Sequence, residues 1–274
     1  MSKQSVRAQT SPVKLLALDL DGTLIDVKDH CIHPVVESAV RQAIDLGVTV
    51  GIATGRPYQF SLPIAKQLGL SAPLIGYQGA EIKTMNGDLI RECTIPREAI
   101  AIVRDLATAE DWQVYVERNG ALFIENGRVY DPNLIQIQNL EIIDVDDLAS
   151  VRGAHQIGLF FGHTPGEGAA EILIDELGSK ATVFQTHVKF VNIVANGVSK
   201  GDSLSYVAAK LGIDREQTMA VGDSENDISM ISWAGIGVAM GDAREKTKAS
   251  ADWIAPAFQQ HGVAKAIEKF ILES

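Results

Sequence analysis

The stretch Leu18-Asp19-Leu20-Asp21-Gly22-Thr23-Leu24 follows an apolar run, Val13-Lys14-Leu15-Leu16-Ala17, and reading the two segments together decides the fold. A run of this length and type reads as a strand of a parallel sheet, buried on both faces, so two carboxylates arrive at its carboxyl end. Open α/β sheets bind their ligands at that end. Gly22 lets the chain turn and Thr23 sets a hydroxyl beside the acids. Taken alone, a DxDG string is also an ordinary Asx-type turn with solvated carboxylates. What argues for chemistry is that the pattern recurs.

Residues 48–53 read as a second buried strand ending in Thr54-Gly55-Arg56, after which Pro57 starts a helix. A hydroxyl and adjacent backbone N–H groups at such a turn cradle anions. Between the first two strands, Pro34 opens a helix that runs through Leu46 and is closed by Gly47, and the loop before it is too short to hold a domain. A short strand over 73–77 leads to Gln78-Gly79-Ala80. Lys200 precedes a helix over 202–211, and it is not a nucleotide-binding P-loop lysine, because GxxxxGK[ST] is absent. A strand over 218–221 ends in Gly222-Asp223-Ser224-Glu225-Asn226-Asp227, which again places carboxylates at an apolar strand's tip. The glycine-rich residues 235–241 lack the GxGxxG fingerprint and read as a tight connection and a final strand. Residues 252–255 and a helix over 263–272 finish the domain.

Between these clusters the texture changes. Asn86-Gly87, Asn119-Gly120 and Asn126-Gly127 mark tight turns between short alternating segments, 81–83 with 88–92 and 114–118 with 121–125. Helices are expected over 97–109 and 167–177, and strands over 156–161 and 182–185. The acidic run Asp144-Val145-Asp146-Asp147 lacks the calcium-loop pattern and reads as a solvated helix start. The expected organisation is a flexible leader over 1–12, a discontinuous parallel domain over 13–83 and 189–274 that includes a strand over 191–195, and an inserted α+β domain over 84–188.

Composition narrows the class. Hydrophobic residues are 46% and charged residues 22% of 274 residues, a globular mix with material for a full core. A formal net charge of -11 argues against nucleic acid and anionic membrane as partners. No apolar run is long enough to span a bilayer and no signal-peptide core is present, so a cytoplasmic location is expected. Cys31 and Cys93 are too few for a disulfide framework, and the histidines show no zinc-ligand spacing.

Carboxylates without His or Cys suit a hard cation, and Mg²⁺ combines few carboxylates with waters and a substrate phosphate. A lysine and a threonine opposite the metal complete an inventory for phosphoryl transfer. In order along the chain, DLDGT at 19–23, Thr54-Gly55, Lys200 and GDSEND at 222–227 resemble the haloacid dehalogenase (HAD) superfamily. The short first loop, the large insertion before Lys200 and the endings GDSENDISM, GVAMGDA and GVAKAIEK are similar to its Cof-type (subclass IIB) sugar-phosphate phosphatases. The resemblance implies an α/β fold, a Rossmann-like mostly parallel sheet core with an inserted α+β cap domain of the C2 type. It implies Asp19 as nucleophile and Asp21 as general acid and base. Mg²⁺ would be held by Asp19, the Asp21 carbonyl and Asp223, with Asp227 in the shell behind, and the phosphoryl group by Thr54, Gly55, Lys200 and Asn226. The expected activity is Mg²⁺-dependent hydrolysis of a small phosphorylated metabolite through an aspartyl phosphate. A phosphohexomutase and a non-catalytic phosphometabolite-binding module are the alternatives. The sequence departs from the family in two places: Gln78 stands where Asn is usual, and Asn192 and Ala195 replace a Glu and a Pro before the lysine motif. Both lie where core meets cap. Arg118, His187 and Lys189 read as surface residues, with substrate contact as the alternative.

Overall fold

Leu15–Leu18 (β1) carries apolar side chains that are all buried, which requires cover on both sides of its sheet. In the computed structural model, which describes residues 12–126, 140–161, 168–187 and 189–273, that cover is complete. The expected leader lies outside the described residues except for Pro12, as does Gly127 of the third tight turn. β1 pairs in parallel with Thr49–Ile52 (β2) on one side and with Thr218–Gly222 (β12) on the other. Ile236–Ala239 (β13) and Trp253–Ile254 (β14) extend the sheet, giving the order β14-β13-β12-β1-β2. Helices Pro34–Asp45 (α1), Tyr58–Leu68 (α2), Lys200–Leu211 (α5), Ile228–Trp233 (α6), Glu245–Ala249 (α7) and Gly262–Ile267 (α8) accompany it. The chain leaves β1 toward β2 and later enters β12 on the opposite side. Loops after β1 and β12 therefore diverge and leave a crevice at the carboxyl ends.

A bridge between Ala53 and Ile75 joins this sheet to Leu74–Gly76 (β3), which pairs antiparallel with Glu81–Lys83 (β4), itself paired with Leu89–Glu92 (β5). Beyond lies a six-stranded sheet of order β10-β11-β9-β6-β7-β8. Its strands are Gln113–Arg118 (β6), Ala121–Glu125 (β7), Glu141–Val145 (β8), Gln156–Phe160 (β9), Ala181–His187 (β10) and Phe190–Ala195 (β11). Arg97–Ala109 (α3) and Ala169–Leu177 (α4) pack on one face, where Val114, Val116, Ile157, Leu159, Val191 and Ile193 meet Val103 and Leu173 in one core. Side chains alternate across a strand, so Tyr115, Glu117, Gln156 and Phe160 belong to the opposite face. The α/β architecture implied by the resemblance is therefore present, a mostly parallel sheet with a separate sheet-rich unit.

Two local expectations change. The strand expected over 191–195 forms, but it pairs antiparallel with β9 and β10 rather than returning to the parallel sheet. A continuous apolar run does not reveal which way its partners point. The acidic run starts a helix only at its last residue. Asp144 and Val145 end β8, which runs parallel to β7, and the Asp147 carboxylate accepts the Ala149 N–H at 2.8 Å to cap a single 3₁₀ turn, Leu148–Ser150. Among the described residues no helix is long and apolar enough to cross a membrane.

Candidate active site

Asp19 is fixed by the sheet that delivers it. Its N–H donates to the Val221 carbonyl at 3.0 Å, which carries the β1–β12 ladder past the end of β1. Lys200, at the first position of α5, reaches in behind it: Nζ donates to Asp19 Oδ1 and to Asp227 Oδ1, each at 2.6 Å, and all three residues are buried. The second Asp227 oxygen accepts the backbone N–H groups of Asp223 (3.0 Å) and Ser224 (2.9 Å), shaping the loop after β12. Thr23 and Ser224 hydroxyls donate to the two Asp223 oxygens at 3.2 and 3.1 Å. Gly22 is required between the acids. Its φ is +82°, and a Cβ there would sit 2.9 Å from Asp223 Oδ2.

Asp19, Asp223 and Asp227 each bring an oxygen within 4.8 Å of the others. Burial, and then the charges of Asp227 and Asp223, push the Asp19 carboxyl well above the usual carboxylate range, while Lys200 pulls it back. Asp223 is pushed up to about 6 by burial and Asp227, against Lys200, Ser224 and Thr23. For Lys200 burial favours the neutral amine, yet the two aspartates outweigh it and hold the ammonium above its ordinary value. Three carboxylates facing one ammonium leave two negative charges in a buried place. Oxygen donors with that excess charge, and no nitrogen or sulfur among them, fit a hard divalent cation.

Asp21 has a different surrounding. Its carboxylate accepts from Arg56 Nε at 3.0 Å and Arg56 Nη2 at 2.8 Å, and the guanidinium lies over the Phe60 ring. Thr54 is buried with its N–H donating to Ile75 O, its carbonyl accepting from Gln78 N, and its hydroxyl oxygen accepting from Arg56 N. Asn226 Nδ2 donates to Gln78 Oε1 at 2.8 Å, and a Cβ on Gly55 would fall 2.3 Å from Gln78 Nε2. Asp19, Lys200, Asp223 and Asp227 thus form one cluster, while Thr54, Gly55 and Asn226 are joined through Gln78. Arg56 ties Asp21 to the Thr54 turn.

The motifs did not name Arg56, Thr23 or Ser224 as site residues, nor Glu117. Glu117 is fully buried on the inner face of the six-stranded sheet: Oε1 accepts from Gln156 Nε2 at 3.0 Å, and Oε2 meets no partner among the described residues. Burial pushes its carboxyl up to about 7, moderated by Gln156 and by the charge of Arg56, which also acts on Tyr115. The β6–β7 turn is fastened to the parallel unit, since Gly120 N–H donates to the Tyr77 hydroxyl at 2.8 Å and Gln59 Nε2 to the Asn119 carbonyl at 3.0 Å. Arg118 is exposed beyond that turn, and Lys189 is a turn residue whose carbonyl accepts from Phe161 N. The His187 side chain lies outside the described residues.

Acidic clusters at the tips of β1 and β12, a buried lysine between them and a second sheet fastened above are the arrangement of a phosphoryl-group hydrolase. A sequence model of haloacid dehalogenase-like hydrolases matches residues 16–267, and the chain belongs to that family. It is a phosphoric monoester hydrolase. It is similar to the 5-amino-6-(5-phospho-D-ribitylamino)uracil phosphatase YcsE of Bacillus subtilis, 31% identical over 98% of this chain and 100% of that one. Phosphatase YwpJ of the same organism is 29% identical, covering 94% of this chain and 100% of its own. Among solved structures, a haloalkanoate-superfamily phosphatase from Bacteroides thetaiotaomicron is 29% identical with a TM-score of 0.80, covering 98% and 99% of the two chains. A subclass IIB sugar phosphatase is 25% identical with a TM-score of 0.83, covering 94% and 99%.

Proposed function

We propose that the protein is a Mg²⁺-dependent phosphatase of a small phosphorylated metabolite, a sugar phosphate by class, working through an aspartyl phosphate on Asp19 in the cytoplasm. The observation that carries the reading is the buried Asp19 carboxylate, held by Lys200 and within 4.8 Å of Asp223 and Asp227. Mg²⁺ would be held by Asp19, the Asp21 carbonyl and Asp223, with Asp227 behind, and would neutralise phosphoryl charge. An Asp19 oxygen attacks phosphorus, the phosphorus–oxygen bond to the metabolite breaks, and Asp21 gives the departing oxygen a proton. Water then attacks the aspartyl phosphate, returns a proton to Asp21 and frees inorganic phosphate and Asp19. Thr54, the Gly55 N–H, Lys200 and Asn226 hold the phosphoryl oxygens.

Because Arg56 takes both Asp21 oxygens, Asp21 can serve as the acid only once that pair opens for the arriving leaving group. The six-stranded sheet with α3 and α4 acts as the cap, residues 84–188 together with β11, and its inner face with Glu117 and Gln156 covers the leaving group and excludes water.

A panel of phosphorylated metabolites with Mg²⁺ tests the reading. Free phosphate from a sugar phosphate is the expected product; sugar-phosphate isomers without phosphate would make it a mutase, and binding without turnover would make it a binding module. In the same assay Asp21→Asn is expected to lose on the order of 10²-fold on alkyl phosphates. It should lose much less on an aryl phosphate whose leaving group needs no proton. Equal losses on both would remove Asp21 from the acid role.

A further inference from the structure

Gln78, one of the positions where this chain departs from its family, touches Asn226 and Gly55, two of the residues proposed to hold the phosphate. Gln78 lies in the left-handed region, φ 60°, within the 3₁₀ turn Tyr77–Gly79, and only 2% of it is exposed. A side-chain-bearing residue takes that backbone conformation only against strain, so the surroundings must enforce it. They do so from three sides. Gln78 N–H donates to Thr54 O, Tyr77 N–H donates to Arg56 O, and Ser203 Oγ donates to Gly79 O at 2.8 Å. Gly79 adds the fourth constraint, since any Cβ there would strike the Ser199 carbonyl at 2.4 Å. The turn is therefore clamped between the Thr54 loop and the start of α5, which carries Lys200.

That clamp fixes what the side chain presents. Asn226 Nδ2 donates to Gln78 Oε1, so the oxygen end of the Gln78 amide is taken and its Nε2 end must point the other way. The other way is Gly55: Nε2 stands over the Gly55 Cα, where a Cβ would meet it at 2.3 Å. Gln78 Nε2 donates to no atom among the described residues. Nε2 is not among the sealed, unpartnered polar atoms, so it is open to an arriving acceptor. Asn226, meanwhile, gives one of its two Nδ2 hydrogens to Gln78, and its buried Oδ1 has no partner among the described residues. Asn226 thus keeps one N–H for an anion, and the donor next to the Thr54–Gly55 turn belongs to Gln78.

We infer that Gln78 is a phosphoryl-binding residue: its Nε2 donates to an oxygen of the bound phosphate beside the Gly55 N–H, and Asn226 orients it. The extra methylene of Gln relative to the family's usual Asn is what lets one side chain reach from Asn226 to Gly55. This rests on the phosphatase reading, because it deepens the same site.

Inorganic phosphate, the product, is the probe. Gln78→Glu retains the oxygen that Asn226 uses and replaces the donor with a second acceptor; Gln78→Met keeps the length and removes both. In Mg²⁺-containing buffer the inhibition constant for inorganic phosphate is expected to rise at least tenfold in both variants, more in Gln78→Glu, with KM rising in parallel and the melting temperature held within a few degrees. Gln78→Asn is expected to recover less than half of that loss, since the shorter amide cannot span both partners. An unchanged phosphate inhibition constant in either folded variant, or a loss confined to melting temperature, overturns the assignment. Should one variant fail to fold, the other decides. A wild-type chain that neither releases phosphate nor is inhibited by it would refute the phosphatase reading instead, and that outcome is visible without any variant.

Discussion

Asp19 at the tip of the parallel sheet and Glu117 on the inner face of the cap sheet are both carboxylates buried away from water, and they are buried on opposite terms. Asp19 has a cation in contact and two further acids close by. Glu117 has an amide on one oxygen, no partner among the described residues on the other, and a guanidinium acting from a distance. The first is a crowd of negative charge gathered about one ammonium, the second an acid that burial tips toward its protonated form. Burial alone therefore does not mark a reactive carboxylate. The number and sign of its neighbours do.

Three experiments press on that contrast. The largest effect is expected from Asp19→Asn, which removes the oxygen proposed to attack: phosphate release should fall on the order of 10³-fold or more. The melting temperature of the metal-free variant should rise, because burial, Asp227 and Asp223 all disfavour the charge it deletes. A variant that still turned over would end the covalent mechanism. Next comes Lys200→Met, which leaves Asp19 and Asp227 buried without their cation. Breaking such a pair costs about 3–5 kcal/mol, and the melting temperature should drop by about 10 °C at pH 8 and by less at pH 5, where protonation of Asp19 relieves the repulsion. A melt that did not shift would show the lysine to be no counter-charge at all.

The smallest effect belongs to Glu117→Gln. The folded carboxyl titrates at about 7 against 4.5 for the free group. A raised value means a contribution that is full below the unfolded pKa and is lost as pH rises through 7. Wild type should therefore lose up to about 3 kcal/mol relative to Glu117→Gln between pH 5 and pH 8, a difference readable from denaturant midpoints. Parallel pH profiles for the two proteins would mean that Glu117 is charged in the fold, its partner Arg56 having moved onto it.

Much of the core site is readable in the chain because it is local: an apolar strand, then Asp19 and Asp21, then Gly22 at a turn only glycine fits. The second acidic tip repeats that logic. Lys200 is different. By itself it is a lysine beside a helix start, and only the order of the motifs singles it out. The Arg56–Asp21 pair and the Gln78–Asn226 bond join residues far apart in sequence, so no local pattern shows them. The alternation Val114, Tyr115, Val116, Glu117 puts Glu117 on the face opposite the cap's core, but whether water or protein covers that face depends on a turn fastened to Tyr77. Strand β8 went unseen for a related reason, since its parallel pairing with β7 is a contact between segments separated in sequence.

Lys200 has one more property that follows from its place in the chain. Strand β11 leaves the cap sheet at Ala195, Val198 N–H turns back onto the Ala195 carbonyl, and α5 begins at Lys200, so a single tight turn separates a cap strand from the cation of the active site. A lever that short transmits rotation. Any swing of the cap displaces the root of the lysine, and whatever anchors the ammonium resists the swing. By reciprocity, a ligand that tightens the grip of Asp19 and Asp227 on Lys200 stiffens the cap, and a molecule that holds the cap in place strengthens that grip by the same factor.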